Sequence, residues 1–206
     1  MSAHSDMALT TFAQEKLVEL NVEGYGSLVD AFDQSCAQFA TKPAFHCNGQ
    51  TLTFGDIEAY SRKFGAYLAG SCGLQQGDRI AVQLPNLHQF PIVVWGALRV
   101  GLTIVNTNPM YTAREQLHQF NDSGAKALVV LSDLLPITEQ VVPQTGIKTV
   151  ITTHVLDMVK AQAAPVSNLP NLVTLPDALT LGAELVMPQL SMSMDDLAVL
   201  QYTGGT

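Results

Sequence analysis

Gly77-Asp78-Arg79-Ile80-Ala81-Val82-Gln83-Leu84-Pro85-Asn86 opens the part of the chain that decides its fold. Ile80 to Leu84 is a short apolar run closed by Pro85-Asn86, the pattern of a strand running into a turn. Phe90 to Val100 follows at helical spacing, with Pro91 near its first turn and Gly101 as its stop. Leu102 to Val105 is a second short strand, closed by Asn106-Thr107-Asn108-Pro109. Thr112-Ala113-Arg114-Glu115 is a capping box, and Gly124 ends the helix it opens. Ala127 to Leu131 reads as a third strand. Leu134 to Val142 reads as a helix with Pro136 tolerated in its first turn, and Ile147 to Thr153 as a fourth strand. Strands alternating with helices predict an α/β fold, a parallel doubly wound sheet with right-handed crossovers. Such a sheet binds ligands beyond the carboxyl ends of its strands, which here carry Asn86 and Asn106 to Pro109.

Outward from this core, the N-terminal side predicts a helix and a hairpin. Ser27-Leu28-Val29-Asp30 has the S-x-x-D form of a capping box, with Leu28, Ala31, Phe32, Cys36 and Phe39 at helical spacing after it. Lys42-Pro43 ends that helix. Ala44 to Cys47, Asn48-Gly49 and Gln50 to Thr53 form a β-hairpin pattern, because Asn-Gly supplies the positive φ angles of a type I′ turn. Thr53 caps a second helix whose apolar face is Ile57, Tyr60, Phe64, Tyr67 and Leu68. On the C-terminal side the pattern loosens after Leu156, where Pro165, Pro170, Pro176 and Pro188 punctuate a segment without clear period. Asp196 to Gln201 then reads as one more buried strand, delivering Tyr202-Thr203-Gly204-Gly205-Thr206 at its end.

That ending carries the functional reading. Adjacent glycines beside hydroxyl side chains let the backbone curl and point several N–H groups at one anion. A phosphate held this way also calls for a lysine or arginine, and none follows Lys160, so the expected partner falls beyond Thr206. The expectation is the front part of a nucleotide-using enzyme, with Tyr202 to Thr206 at the start of its phosphate loop. Gly-Gly-Thr alone is equally the mark of an ordinary turn, since it lacks the frame of a Walker loop.

Composition narrows the partners. Hydrophobic residues make up 47% of the 206 and charged residues 14%, which describes a folded chain rather than a disordered one. A formal charge of −8 disfavours nucleic acid as a partner. Cys36, Cys47 and Cys72 include no C-x-x-C pair and fit buried thiols in a reducing compartment. Met1 to Lys16 has no apolar stretch flanked by positive charge, so no signal peptide is expected, and the Phe90 to Val105 stretch is too broken to span a bilayer.

Other motifs take duller readings. Gly24-Tyr25-Gly26 has no strand before it and is a turn. Ser123 to Lys126 matches S-x-x-K but falls at a helix end. His4, His46, His88, His118 and His154 show no metal-ligand spacing, and no metal ligand or catalytic residue is assigned. Asn106 and Asn108 read first as turn residues before a proline.

The strings Gly77 to Asn86, Arg99 to Pro109, Tyr111 to Glu115 and Leu200 to Thr206 together resemble bacterial long-chain fatty-acid–CoA ligases. These belong to the adenylate-forming superfamily that includes luciferases and peptide-synthetase adenylation domains. The resemblance runs from about Tyr25 to Thr206, and Asn121-Asp122-Ser123-Gly124 with the Gln-Tyr-Thr-Gly-Gly-Thr form points to the long-chain branch. It implies an N-terminal extension over 1–24 and the front of an AMP-binding domain over 25–206. Within that domain 77–155 is the α/β core, 156–195 an irregular connection, and 196–206 a strand and the start of the phosphate loop. It also implies a two-step reaction: a fatty carboxylate and Mg2+-ATP give an acyl-adenylate and pyrophosphate, and coenzyme A then displaces AMP. By the resemblance Thr203, Gly204, Gly205 and Thr206 begin the loop for the β- and γ-phosphates, and Tyr202 leads into it.

The family loop continues with a second threonine, a glycine and a lysine. The family's adenine and ribose segments, metal-binding glutamate and small C-terminal domain with its catalytic lysine also have no counterpart here. The 206 residues alone are therefore expected to be inactive. The resemblance places the ligase in the cytoplasm. Ala161 to Leu175 has no lysine or arginine, which speaks against a peripheral membrane contact through that stretch. The competing reading is a non-catalytic binding or homodimerisation module, associating through exposed apolar surface.

Overall fold

The computed structural model describes residues 24–169 and 171–203, and its first element answers to the capping signal at Ser27. In α1 (Leu28–Phe39) Ser27 Oγ accepts from the Asp30 amide at 3.1 Å. The Asp30 carboxylate does not complete the box. It accepts from the Gly26 amide at 3.0 Å and from Gln34, and these bonds hold its pKa below the ordinary aspartate value. Val29, Phe32 and Cys36 are buried while Leu28 is exposed, so the inward stripe is rotated from the expected one.

β1 (Pro43–Cys47) and β2 (Gln50–Thr53) pair antiparallel with Cys47 opposite Gln50. Asn48 and Gly49 take φ of 51° and 75°, as the two central positions of a type I′ turn require. α2 (Phe54–Gly70) begins at a complete capping box between Thr53 and Asp56 and buries Ile57, Phe64, Tyr67 and Leu68.

The chain then alternates through β3 (Arg79–Gln83), α3 (Gln89–Arg99), β4 (Thr103–Asn106), α4 (Ala113–Ser123), β5 (Ala127–Leu131), α5 (Leu135–Val141) and β6 (Thr149–Thr153). α4 carries the expected capping box between Thr112 and Glu115, and Gly124 closes it at φ 64°. β7 (Leu172–Thr174), α6 (Leu175–Ala183) and β8 (Val199–Gln201) follow. The six strands β3 to β8 form one sheet in the order β7-β6-β5-β3-β4-β8, all neighbours parallel.

Side chains alternate between two apolar layers, as the two-residue period of a strand demands. Ile80, Val82, Ile104, Val129 and Ile151 face a layer built with α1, α2, α3 and α6. Ala81, Val105, Leu128, Val130 and Val150 face the other, built with α4 and α5. Burial on both faces explains why these strands read as unbroken apolar runs rather than alternations. Connections travelling toward the β8 edge carry α3 and α6 on the first face. Those travelling toward β7 carry α4 and α5 on the second, as a single crossover handedness requires.

Three expectations need correction. The segment 156–195 is not wholly irregular, because β7 and α6 lie inside it. Thr174 Oγ1 caps α6 by accepting from the Asp177 amide at 3.2 Å, and Pro176 sits in the first turn, where a missing N–H costs nothing. Within the stretch those prolines punctuate, Thr174-Leu175-Pro176-Asp177 is a helix start. The strand expected over Asp196 to Gln201 is short and not buried: only Val199–Gln201 pairs, with β4, and Val199 and Gln201 are exposed. The thiols also differ from expectation. Cys36 is buried, and that burial pushes its pKa up to about 11, but Cys47 and Cys72 are only half-buried. No helix among the described residues is long and apolar enough to cross a membrane.

Close helix contacts hold α2 in place. A Cβ on Gly182 of α6 would lie 1.9 Å from the Lys63 carbonyl oxygen, and one on Gly65 would lie 2.8 Å from the Gly96 carbonyl oxygen of α3. Arg99, buried at the end of α3, donates from Nε to Ser61 Oγ at 2.9 Å and pairs through Nη2 with Asp33 Oδ1 at 2.6 Å. Gly182→Ala is therefore expected to lower stability by about 2 kcal/mol or more, because the contacting atoms are backbone and cannot swing away. Asp33→Ala leaves the buried guanidinium without its carboxylate and is expected to cost about 3 kcal/mol. Urea unfolding of this chain measures both, and an unchanged midpoint for either would contradict the packing described.

Candidate functional site

β3 is where the connections change face. The chain leaves it for α3 on one side of the sheet, while β4 and β5, its two neighbours, lead to α4 and α5 on the other. A parallel sheet opens a crevice at such a point, beyond the carboxyl ends of its strands. Asn86, the Asn106 to Pro109 segment and the residues after Gln201 all follow carboxyl ends at or next to this point, since β4 lies between β3 and β8.

The loop after β4 is held from beneath by three buried glutamines. Gln83, ending β3, donates its amide to the Asn108 carbonyl at 3.3 Å. From α4, Gln119 donates to the Asn106 carbonyl at 3.1 Å and Gln116 to the Tyr111 carbonyl at 3.0 Å. The Oε1 atoms of all three are buried without a partner among the described residues. A buried acceptor left unpaired costs about 1–3 kcal/mol, so polar side chains at these positions are kept against a penalty. The sequence reading passed over them; glutamines three residues apart on the inward face of a capped helix were the available signal.

Asn108 behaves as the turn residue expected. Its Oδ1 accepts from the Met110 amide at 2.9 Å and its carbonyl from the Tyr111 amide at 3.1 Å. Asn106 does more than turn the chain. It stands opposite Gln201 in the β4–β8 ladder, and its Nδ2 donates to Gln201 Oε1 at 3.1 Å.

Of the tail residues singled out in the sequence, Tyr202 and Thr203 are described, and Gly204, Gly205 and Thr206 lie outside the described residues. The Tyr202 ring is half-buried with Leu200 against the second layer, and Thr203 is exposed. The Tyr202 hydroxyl donates to Asp122 Oδ2, in the last turn of α4, at 2.5 Å. Burial first, then the Asp122 carboxylate, pushes the phenol up to about 12, so it keeps its proton at neutral pH and acts as a donor. The chain thus leaves β8 at the carboxyl rim with its lead-in residue fastened and the next residue open to solvent.

A wider cleft of about 650 Å³ lies beyond β5, β6 and β7, lined in part by Ser132, Thr153, His154, Asp157, Thr174 and Asp177. Its carboxylates are already engaged: Asp157 accepts from Thr153 Oγ1 and the His154 amide, and Asp177 from Thr174 Oγ1. Neither Tyr202 nor Thr203 lines it. Among the described residues no group of three or more His, Cys, Asp or Glu is placed to hold a metal ion.

Comparison with known proteins places this geometry. A family model described as "AMP-binding enzyme" matches residues 32–206. The chain is 40% identical, over 96% of its length, to a long-chain-fatty-acid–CoA ligase of Escherichia coli O6:H1, and it spans 38% of that protein. It is also 40% identical, over 91% of its length, to a ligase of the same description from Haemophilus influenzae, of which it spans 36%. Among solved structures, a long-chain-fatty-acid-CoA ligase from Archaeoglobus fulgidus is similar at a TM-score of 0.69 and 26% identity. That match covers 88% of this chain and 35% of the other. The chain therefore spans a little over a third of the curated relatives it matches.

The Tyr202 contact makes a pH prediction. The ordinary phenol value is 10.0 and the folded value about 12, so folding raises this pKa. The associated stability is whole below the unfolded value and is lost as pH rises through the folded one. Unfolding free energy is expected to fall between those values, and Tyr202→Phe to remove that part of the decline. The same slope in both proteins, measured by urea titration at a series of alkaline pH values, would show that the contact contributes nothing.

Proposed function

This chain belongs to the AMP-binding enzyme family, and from that premise we propose that it forms part of the nucleotide-binding region of a long-chain fatty-acid–CoA ligase. In the proposed reaction a fatty carboxylate oxygen attacks the α-phosphorus of ATP, and the bond to pyrophosphate breaks. The thiol sulfur of coenzyme A then attacks the acyl carbonyl of the adenylate, and AMP leaves. Negative charge grows on phosphoryl oxygens in the first step, so fixed backbone N–H groups and hydroxyls aimed at them stabilise it. Thr203, Gly204, Gly205 and Thr206 are proposed to begin the loop that holds the outer phosphates, with Tyr202 as its lead-in.

The observation that carries this reading is the place of Tyr202 and Thr203. They follow β8 at the carboxyl rim, beside β4 and one strand from the switch at β3, with Thr203 exposed. Magnesium enters the proposal with the ATP it accompanies, since the described residues offer it no carboxylate cluster. The 25–206 span as the front of an AMP-binding domain, a cytoplasmic site of action, and fatty acid, ATP and coenzyme A as partners belong to the same proposal.

Isotope exchange between pyrophosphate and ATP, run on the full-length protein, tests it. Exchange is expected to depend on a long-chain fatty acid, and this 206-residue chain by itself is expected to show none. Exchange driven by an amino acid or an aromatic acid in place of the fatty acid would reject the substrate class.

A further inference from the structure

The two strings that most narrowly mark the long-chain resemblance lie 80 residues apart, and one hydrogen bond joins them: Tyr202 Oη to Asp122 Oδ2 at 2.5 Å. We propose that Asp122 is a positioning residue that acts through Tyr202 to set the course of the phosphate-binding segment as it leaves β8. This rests on the functional reading above, and it adds a residue outside the expected loop.

β8 alone is a weak anchor. It is three residues long, pairs only with β4 among the described residues, and leaves Val199 and Gln201 exposed. A short edge strand with one ladder frays readily. Two side-chain bonds offset this at its carboxyl end. Asn106 Nδ2 to Gln201 Oε1 locks the last ladder position, and the Tyr202 hydroxyl to Asp122 fixes the residue after it. The second is the stronger kind, because its acceptor is a carboxylate.

Asp122 is itself well placed to hold still. It lies in a helix fixed at its start by the Thr112–Glu115 box and at its end by Gly124 in the left-handed conformation. Phe120 and Ser123, its neighbours on α4, are buried. The aromatic ring between β8 and α4 acts as a rigid strut with few torsions to freeze. Leu200 and Tyr202 pack on the second layer while Gln201 turns toward Asn106, so successive residues are tied on opposite sides. A backbone held on both sides through Tyr202 leaves β8 in a defined direction, which is what positioning to within a fraction of an ångström requires.

The test uses the full-length protein with Tyr202→Phe, Asp122→Ala and Asp122→Asn. Tyr202→Phe and Asp122→Ala are expected to raise the KM for ATP by about tenfold, the scale of a lost hydrogen bond to a charged group, with the KM values for fatty acid and coenzyme A unchanged. Asp122→Asn keeps an oxygen acceptor and is expected to recover most of the loss. If the three KM values move together, or none moves, the proposal is overturned. Hydrogen exchange on this 206-residue chain gives a readout independent of activity. Faster exchange in peptides from Val199 onward, with β3 unchanged, supports the tie, and unchanged exchange in Asp122→Ala overturns it. A full-length wild type without acid-dependent pyrophosphate exchange would instead defeat the functional reading, and hydrogen exchange would still decide the tie.

Discussion

Everything in this molecule is arranged around the burial of β3. Ile80, Ala81, Val82 and Gln83 have no exposed surface, and the strand is paired on both sides, to β4 and to β5. Fully burying a Val or Ile side chain is worth about 1.5–3 kcal/mol, so no other placement of this run competes. Once β3 is central, the chain must leave it to one side and return to the other. That forces the helices onto both faces and puts the change of face, with its crevice, at the carboxyl end of the same strand.

Away from that centre the structure is held increasingly by polar contacts. The loop after β4 hangs from Gln83, Gln116 and Gln119, and the segment after β8 from Asn106 and Asp122. A hydrogen bond to a charged group is worth about 1.5–3 kcal/mol, comparable with burying one apolar side chain. At a rim the polar device holds the chain without covering its backbone N–H groups, as apolar burial would. The opposite device holds α2 at the far side of the first layer. There glycines on α2, α3 and α6 let backbones approach within a distance that no methyl group would fit.

The family relationship gives this architecture its chemical sense. The chain belongs to the AMP-binding enzyme family, and its switch strand with a tethered neighbour fixes backbone beside the crevice at the carboxyl rim. The chain spans 38% of the curated ligase it matches at 40% identity. Among the rim groups, the one with a raised pKa is a phenol that stays protonated at neutral pH and acts by donating to a carboxylate.

What the chain determines by itself is local. Short apolar runs, the first two closed by Pro-Asn and Asn-Thr-Asn-Pro, marked β3 to β6 to within two residues of their ends. The Thr112–Glu115 and Thr53–Asp56 boxes marked helix starts because capping is settled within four residues. Where punctuation was ambiguous the reading failed: prolines around Thr174 concealed β7 and α6, and an apolar run before Gln201 passed for a buried strand. Strand order, the edge position of β8, and the meeting of Asn106 with Gln201, of Asp122 with Tyr202 and of the glutamines with the β4 loop were decided only in three dimensions. Each joins residues brought together by crossovers, and no local pattern encodes which strands become neighbours. The sequence therefore specified the local pieces, and tertiary packing decided what holds Gln201 and Tyr202 in place.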